Sequence, residues 1–357
     1  MFLFFSYLIF SSSGWLTQIH LFLSFFLSFL SFFFFPPILF QFELVATYYF
    51  LALFRVRDYG KIAEQIERYK TLVNPKGDSE EGIQEPALPF VFLWIYAEYP
   101  IHRGKVKVGL DRLYRLLQNS RLLKGYYDGK LQFDVGSSEM VPVSDMEISS
   151  RETLSNISLQ GAWDRRIKML LCVIACHHCA QKQYATALKL MSGLAQAKDD
   201  PHYLCLLSYI LLQLGDVRSA RKIAETLRDY CQKQNSDNEA AALLANLEGL
   251  LLFASDDFQE AIGKFEKASS LSPDNPVPCN NLAVGHMYAK DLHVGIKVLE
   301  NKLAQNHTFI LQKPMVLNLC SMYELASTRC NESKHTLHSW ILKHAPDDFD
   351  SRSTRLS

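Results

Sequence analysis

The stretch Ala242–Pro273, ALLANLEGLLLFASDDFQEAIGKFEKASSLSP, predicts two amphipathic helices joined by a short turn. Ser255, Asp256 and Asp257 mark the turn, because side-chain oxygens favour turns and helix starts. In the second half, apolar and small residues recur every three or four positions, so they share one helical face. Pro273 ends the second helix, since proline lacks the amide hydrogen that a helix interior uses.

Small residues in this stretch predict that the two helices pack closely together. Gly249 lies on the first helix, and Ala261 and Ala268 lie on the inner face of the second. Phe258 and Phe265 are large enough to fill the wedge between this pair and the next. The stretch is therefore a packing unit that needs neighbours on both sides to cover its apolar faces.

The same register recurs along the chain. It is carried by Tyr184 with Ala187, by Gly215 with Ala220, and in a degenerate form by Gly295. The small residues at 187, 220, 261 and 295 are separated by 33, 41 and 34 residues. Two of these three intervals lie at a repeat period of about 34 residues.

These residues resemble the tetratricopeptide repeat family. Gly249 matches the family's first-helix glycine, and the matching second-helix positions are Phe258, Ala261, Phe265, Ala268 and the closing Pro273. The resemblance implies an all-α fold. We predict a tetratricopeptide-repeat-like α-solenoid of helix-turn-helix pairs that ends in a capping helix.

Changes in composition divide the chain into six predicted segments. These are a Phe-rich uncharged segment at 1–42, diverged helical repeats at 44–119, a polar loop at 120–160, tetratricopeptide repeats at 161–312, capping helices at 313–345 and a polar tail at 346–357.

The first segment needs a separate explanation. It holds 14 of the 24 Phe and no Asp, Glu, Lys or Arg, and Phe, Ser, Leu and Pro make up 31 of its 42 residues. All four can be encoded by pyrimidine-only codons, so we favour a gene-model artefact in which a polypyrimidine tract before a splice acceptor is translated. A membrane anchor is the second hypothesis, because residues 21–40 are long enough to span a bilayer. A signal segment is the third, although it lacks the usual basic start.

Charge and motifs exclude several classes of function. The 37 basic and 37 acidic residues give zero net charge, which argues against a nucleic-acid partner because such proteins need a basic excess. The chain contains no phosphate-binding loop, zinc-protease or hydrolase-elbow motif. We therefore expect no enzyme activity, no cofactor and no small-molecule substrate.

A cluster of Cys and His suggests zinc at first sight. Cys172, Cys176 and Cys179 flank His177 and His178. On a helix the outer two thiols are about 10.5 Å apart along the axis, too far for one tetrahedral zinc ion. We expect buried thiols with surface imidazoles and no metal.

Two groups of residues are candidates for binding another protein. Asn246 and Asn280 could line a concave groove, although hydrogen bonds between repeats are the favoured alternative. Met322, Tyr323 and Leu325 could present an aromatic anchor, although a place in the core of the capping helix is favoured. A carboxylate clamp of the cochaperone kind is not expected, because the matching Lys and Arg positions are mostly apolar or small.

The order of features resembles subunits of the trafficking protein particle (TRAPP) tethering family. Its most specific parts are Asn280-Asn281-Leu282-Ala283 and the stretch from Asn318 to Leu325. The resemblance implies a non-catalytic scaffold in endoplasmic reticulum to Golgi transport and in autophagy, with other complex subunits as partners. It also implies a cytoplasmic protein, peripheral to the Golgi and the intermediate compartment, whose membrane association is indirect. A generic peptide-binding adaptor or cochaperone is the alternative, and a membrane-anchored receptor is a third if 1–42 is expressed.

Overall fold

The architecture is entirely α-helical wherever it is described. The computed structural model describes residues 38–73, 88–127, 159–195, 200–233, 238–305, 311–346 and 348–356. These ranges hold fifteen α-helices, two 3-10 turns and no strand, which confirms the predicted fold class. Most of the predicted Phe-rich segment and the middle of the predicted polar loop lie outside them. No helix in these ranges is long and apolar enough to cross a membrane.

The described residues form two compact units. The N-terminal unit runs up to Gln181, and the C-terminal unit starts at Lys182. The helices of the N-terminal unit are α1 (Ile38–Arg55), α2 (Tyr59–Ile66), α3 (Lys70–Val73), α4 (Phe90–His102), α5 (Val106–Tyr127) and α6 (Leu159–Ala180), with a 3-10 turn at Glu67–Tyr69 between α2 and α3.

Helix α4 is the centre of the N-terminal unit. Its sequence is apolar on nearly every side, and a helix of that kind must be surrounded by others. It contacts α1, α2 and α5, and α5 in turn contacts α6. The ring of Phe92 meets that of Phe50 edge to face at 5.3 Å between centroids. Helix α4 ends at a turn in which Gly104 takes a positive φ of 79°.

Helix α5 extends further than the sequence predicted. The polar loop was expected to begin at residue 120, but the helix continues to Tyr127. Leu113, Leu117, Ser120 and Leu123 are all buried, so one helical face runs through the expected boundary. Ser120 keeps the helical geometry because its hydroxyl donates to the Leu116 carbonyl at 2.7 Å. The polar residues of this stretch suggested a loop, but the period of its apolar residues is that of a helix.

The C-terminal unit is a row of helix pairs. Its helices are α7 (Tyr184–Ala195), α8 (Pro201–Leu214), α9 (Val217–Lys233), α10 (Asn238–Phe253), α11 (Phe258–Leu271), α12 (Pro276–Tyr288), α13 (Leu292–Gln305), α14 (Lys313–Ala326) and α15 (Cys330–His344). Each helix packs against the next one along the chain. Helix α8 also contacts α10, and α12 contacts α14, so alternate helices meet across the pairs. This pattern is typical of a repeat array, in which each unit contacts only its neighbours.

The turns within the pairs follow from a few residues. Gly215 ends α8 with a left-handed φ of 79°, which glycine adopts without steric cost. Asp257 begins α11, and its carboxylate accepts the amide hydrogen of Glu260 at 3.4 Å. Asp216 accepts that of Ser219 in the same way at 3.0 Å. These caps satisfy amide groups that a helix start leaves without partners.

The predicted polar tail is partly incorrect. Residues Ser351–Thr354 form a 3-10 turn that packs against α14 and α15, and Ser353 and Thr354 are buried. Asp350 starts this turn by accepting the amide hydrogen of Arg352 at 3.3 Å. The hydroxyl of Thr354 lies 3.1 Å from Nδ1 of His338 on α15. Contacts with residues distant in sequence hold this segment, and its own composition does not reveal them.

Candidate functional site

Gly249, one of the predicted repeat-packing residues, lies at a close contact between two helices. A Cβ atom placed on Gly249 would lie 2.5 Å from Cε1 of Phe265, whose ring is only 1% exposed. The ring therefore occupies the space that the missing side chain leaves. Such contacts fix the distance between α10 and α11, because packed interiors leave little room for adjustment.

The other predicted packing residues differ in burial. Ala187, Ala220, Ala261 and Ala268 are fully buried. Tyr184 is half-buried at the first position of α7. The ring of Phe258 lies 5.1 Å from that of Phe253 and 5.6 Å from that of Tyr288, so it joins α10, α11 and α12. Exposed Pro273 follows α11, and its carbonyl accepts a hydrogen bond from Lys302 at 2.6 Å.

Buried amides connect alternate helices in what we name the asparagine ladder, formed by Tyr209, Asn246, Asn281, Asn280 and Asn318. Asn246 donates to the Tyr209 hydroxyl at 3.2 Å and accepts from Asn281 at 2.9 Å. Asn318 donates to Asn280 at 2.9 Å. These bonds link α8 with α10, α10 with α12 and α12 with α14.

The asparagine ladder decides whether the side chains of Asn246 and Asn280 are available to bind another protein. Both side chains are buried and bonded within the chain. The structure therefore places them between repeats, the alternative that the sequence analysis favoured, and away from an open groove. The hydrogen bonds of Tyr209 and Asn318 were not predicted from the sequence. The recurrence of Asn at intervals of 35 and 38 residues is the signal that could have found the partners Asn281 and Asn318.

An ion-pair bridge reinforces the middle of the C-terminal unit. Glu248 on α10 contacts Arg228 of α9 at 2.7 Å and Lys264 of α11 at 2.6 Å. Partial burial would raise the pKa of Glu248, but the hydrogen bonds and charges of Lys264 and Arg228 outweigh it and lower the pKa. One carboxylate thus ties three consecutive helices together.

The structure separates the three candidate binding residues of α14. Met322 is fully buried and belongs to the core. Tyr323 donates its hydroxyl hydrogen to Glu300 of α13 at 2.7 Å. Leu325 is 63% exposed at the end of the helix. Of these three residues, Leu325 is the one that exposes a large apolar side chain to solvent.

The Cys and His cluster on α6 differs from the expectation in two respects, of which the first is that Cys172 is buried but Cys176 and Cys179 are only half-buried. Burial raises the pKa of Cys176 to about 12 and of Cys179 to about 11, so both thiols stay protonated at neutral pH. The imidazoles were expected at the surface, but His178 is buried with Nε2 2.7 Å from the Tyr114 hydroxyl. Within the described ranges, no group of three or more potential ligands could hold a metal ion.

His177 meets a buried carboxylate. Its Nε2 lies 3.1 Å from Oε1 of Glu98 on α4, and Nε2 of His102 lies 3.7 Å from the same oxygen. Burial alone would raise the pKa of Glu98, but hydrogen bonds and charges from the two imidazoles lower it to about 2. This cluster was not visible in the sequence, because Glu98 and His177 are 79 residues apart.

The packing of consecutive helix pairs defines the class of the protein by its fold, as an α-helical repeat array. No protein-family model matches the chain. The chain is similar to the mouse trafficking protein particle complex subunit 12, with 25% identity over 278 residues, which cover 77% of this chain and 33% of the relative. The human subunit 12 is 24% identical, with coverage of 77% and 36%. The chain therefore spans about a third of the length of the curated relatives it matches.

Two solved structures show a distant similarity to the chain. TTC0263, a thermophilic TPR protein of Thermus thermophilus, is 18% identical with a TM-score of 0.38, and the match covers 52% of this chain and 94% of that one. Yeast Tom70 is 15% identical with a TM-score of 0.34, over 76% and 60% of the two chains.

Proposed function

We propose that this chain is a non-catalytic scaffold subunit of a TRAPP-type vesicle-tethering complex. The observation that carries the proposal is its similarity to subunit 12 over 278 residues. We extend the proposal to transport between endoplasmic reticulum and Golgi and to autophagy. In this proposal the chain is cytoplasmic, peripheral to the Golgi and the intermediate compartment, and reaches membranes only through the complex.

The bonds between the helix pairs support the proposed scaffold role. Polar side chains inside the C-terminal unit are used between repeats, as in the asparagine ladder and the Glu248 bridge. Such bonds hold successive helix pairs in one arrangement, and a fixed array can present several separate surfaces to other proteins. A scaffold needs this property and no reacting group.

The same geometry argues against the cochaperone alternative. A carboxylate clamp requires amide and basic side chains that are free to meet a peptide terminus. Asn246 and Asn280 are buried and already hydrogen-bonded to residues of this chain. Binding a peptide through them would break existing bonds and leave buried polar groups without partners, which costs about 1–3 kcal/mol per group.

Affinity purification of the tagged full chain from cells, followed by mass spectrometry, tests the proposal. We expect other tethering-complex subunits to copurify in constant ratio through a sizing column. Recovery of chaperones without any tethering subunit would refute the proposal and favour the adaptor alternative. A tagged, unrelated helical-repeat protein expressed at the same level is the control for proteins that bind exposed helices without specificity.

A further inference from the structure

A cleft in the N-terminal unit holds more positive than negative charge. It lies between α2, the end of α4 and the start of α5, and has a volume of about 330 Å³. Its charged lining is Glu67, Arg103, Lys105 and Arg112, three cations against one carboxylate. The volume is at the lower end of the range of about 300–1,000 Å³ that ligand pockets occupy. We name this site the basic cleft.

The one carboxylate in the lining of the basic cleft, Glu67, is already hydrogen-bonded to two other lining residues. Oε1 of Glu67 accepts hydrogen bonds from the Tyr99 hydroxyl at 2.5 Å and from Arg112 at 3.1 Å. The guanidinium of Arg112 is held in place, since it donates to the Tyr96 carbonyl at 3.1 Å and lies 4.1 Å above the Tyr96 ring. Arg112 therefore neutralises Glu67, which leaves Arg103 and Lys105 as the charges that a partner would meet.

The other two cations have no counterion within the described part of the chain. Arg103 and Lys105 are both exposed and lie two residues apart, on either side of Gly104. The turn is fixed by hydrogen bonds from the amide groups of Arg103 and Lys105 to the Pro100 carbonyl at 3.1 Å and 2.9 Å. Both exposed side chains can be reached by a carboxylate of a partner, which a cation attracts.

The remaining surface of the cleft is apolar. Tyr99 and Pro100 are buried beneath it, and Val108 is 43% exposed at its edge. A free inorganic anion would use the cations and leave this apolar surface in contact with water. A peptide with acidic and aliphatic side chains would cover both, so its burial adds a hydrophobic contribution of about 25 cal/mol per Å².

We propose that the basic cleft is a docking site for an acidic peptide segment of a partner protein, with carboxylates at Arg103 and Lys105 and an aliphatic side chain on Val108. This inference rests on the proposed function only in taking the partner to be a protein. The charge pairs set the orientation and the association rate, and the apolar contact adds affinity.

Fluorescence anisotropy with the purified full chain tests the docking site. The probe is a short labelled peptide of alternating Glu and Leu, and the matched probe replaces each Glu with Gln. We expect the Glu peptide to bind with a dissociation constant below about 1 mM, and to bind more weakly as salt rises and screens the charges. We expect the Gln peptide to bind at least about tenfold more weakly.

Charge variants of the chain test whether the Glu peptide binds at the basic cleft. Arg103→Glu with Lys105→Glu is expected to weaken binding of the Glu peptide at least about tenfold, and Arg103→Gln with Lys105→Gln by a smaller factor. Lys107→Glu with Arg121→Glu makes the same change of net charge on α5 at exposed positions outside the cleft lining, and is expected to change affinity less than about twofold. All four positions are exposed, so the variants should fold, which circular dichroism verifies.

Three results would overturn the docking site. These are equal losses in the cleft and control variants, equal binding of the two peptides, or cleft-dependent binding to phosphatidylserine vesicles with none to the peptide. The titration contains no tethering-complex subunit. Its failure would therefore leave the copurification result unchanged, and loss of copurification would leave the titration unchanged.

Discussion

Gly295 on α13 lies directly against Ala283 on α12. A Cβ atom on residue 295 would be 2.6 Å from the Ala283 carbonyl oxygen, which belongs to the backbone of a packed helix and has little freedom to shift. In the sequence this glycine looked like a degenerate form of the alanine found at 187, 220 and 261. The structure shows that α12 and α13 approach so closely that only glycine fits.

Gly295→Ala should therefore destabilise the fold. We expect the free energy of unfolding to fall by about 1–3 kcal/mol, because the methyl group overlaps the neighbouring backbone. Urea denaturation followed by circular dichroism measures the change. The matched control is Gly263→Ala on α11, where an added Cβ meets no atom within 4 Å. That variant should gain stability by about 0.5–1 kcal/mol from helix propensity, and equal behaviour of the two variants would contradict the close approach.

Removing one rung of the asparagine ladder should cost more than removing a surface amide. Asn246→Ala leaves the hydroxyl of Tyr209 and the amide of Asn281 without their bonds in a buried place. We expect a loss of about 1–3 kcal/mol in unfolding free energy. Asn301→Ala, at an exposed position on α13, should stay within about 0.5 kcal/mol of the parent. A cost for Asn246→Ala no greater than that control would show that the ladder does not stabilise the array.

The buried Glu98 should make the free energy of unfolding depend on pH in the acidic range. Its pKa is about 2 in the folded chain against 4.5 ordinarily, because His102 and His177 together outweigh the effect of burial. Between these values the unfolded chain binds more protons than the folded chain. The stability that Glu98 contributes is therefore present above pH 4.5 and is lost as the pH falls towards 2.

A comparison with Glu98→Gln measures this contribution. We expect the stability advantage of the parent chain over the variant to shrink by about 1–3 kcal/mol between about pH 5 and about pH 3. Urea unfolding at several pH values gives the difference. Glu64→Gln, exposed in the same unit, is the control and should show no such trend. A constant difference between parent and Glu98→Gln would mean that the carboxylate is not held charged by the imidazoles.

Leu325 is the residue of α14 through which we expect a tethering subunit to bind. Leu325→Asp should leave the unfolding free energy within about 0.5 kcal/mol, since its side chain is 63% exposed. It should reduce recovery of partner subunits at least about tenfold, because a carboxylate buried against an apolar partner surface loses its hydration without a compensating bond. Leu342→Asp on α15, 66% exposed, is the matched control and should retain them. Equal recovery with both variants would remove Leu325 from the interface.

The sequence by itself determined the helix pairs of the C-terminal unit and several of the residues that pack them together. Gly249, Ala261 and Phe265 could be placed because helix periodicity and turn chemistry depend on residues only a few positions apart. The extent of α5 was missed although its signal was local, since the buried face from Leu113 to Leu123 has ordinary helical spacing.

Only the tertiary structure decided which polar groups form hydrogen bonds inside the fold and which remain available to bind a partner. Asn246 meets partners 37 and 35 residues away, and Glu98 meets one 79 residues away. The C-terminal turn is held by α14 and α15, and the basic cleft joins residues from three helices. The local sequence does not distinguish an amide that is buried in the fold from one that is free to bind a partner. The difference lies in the free energy of contacts that form only when distant segments pack together.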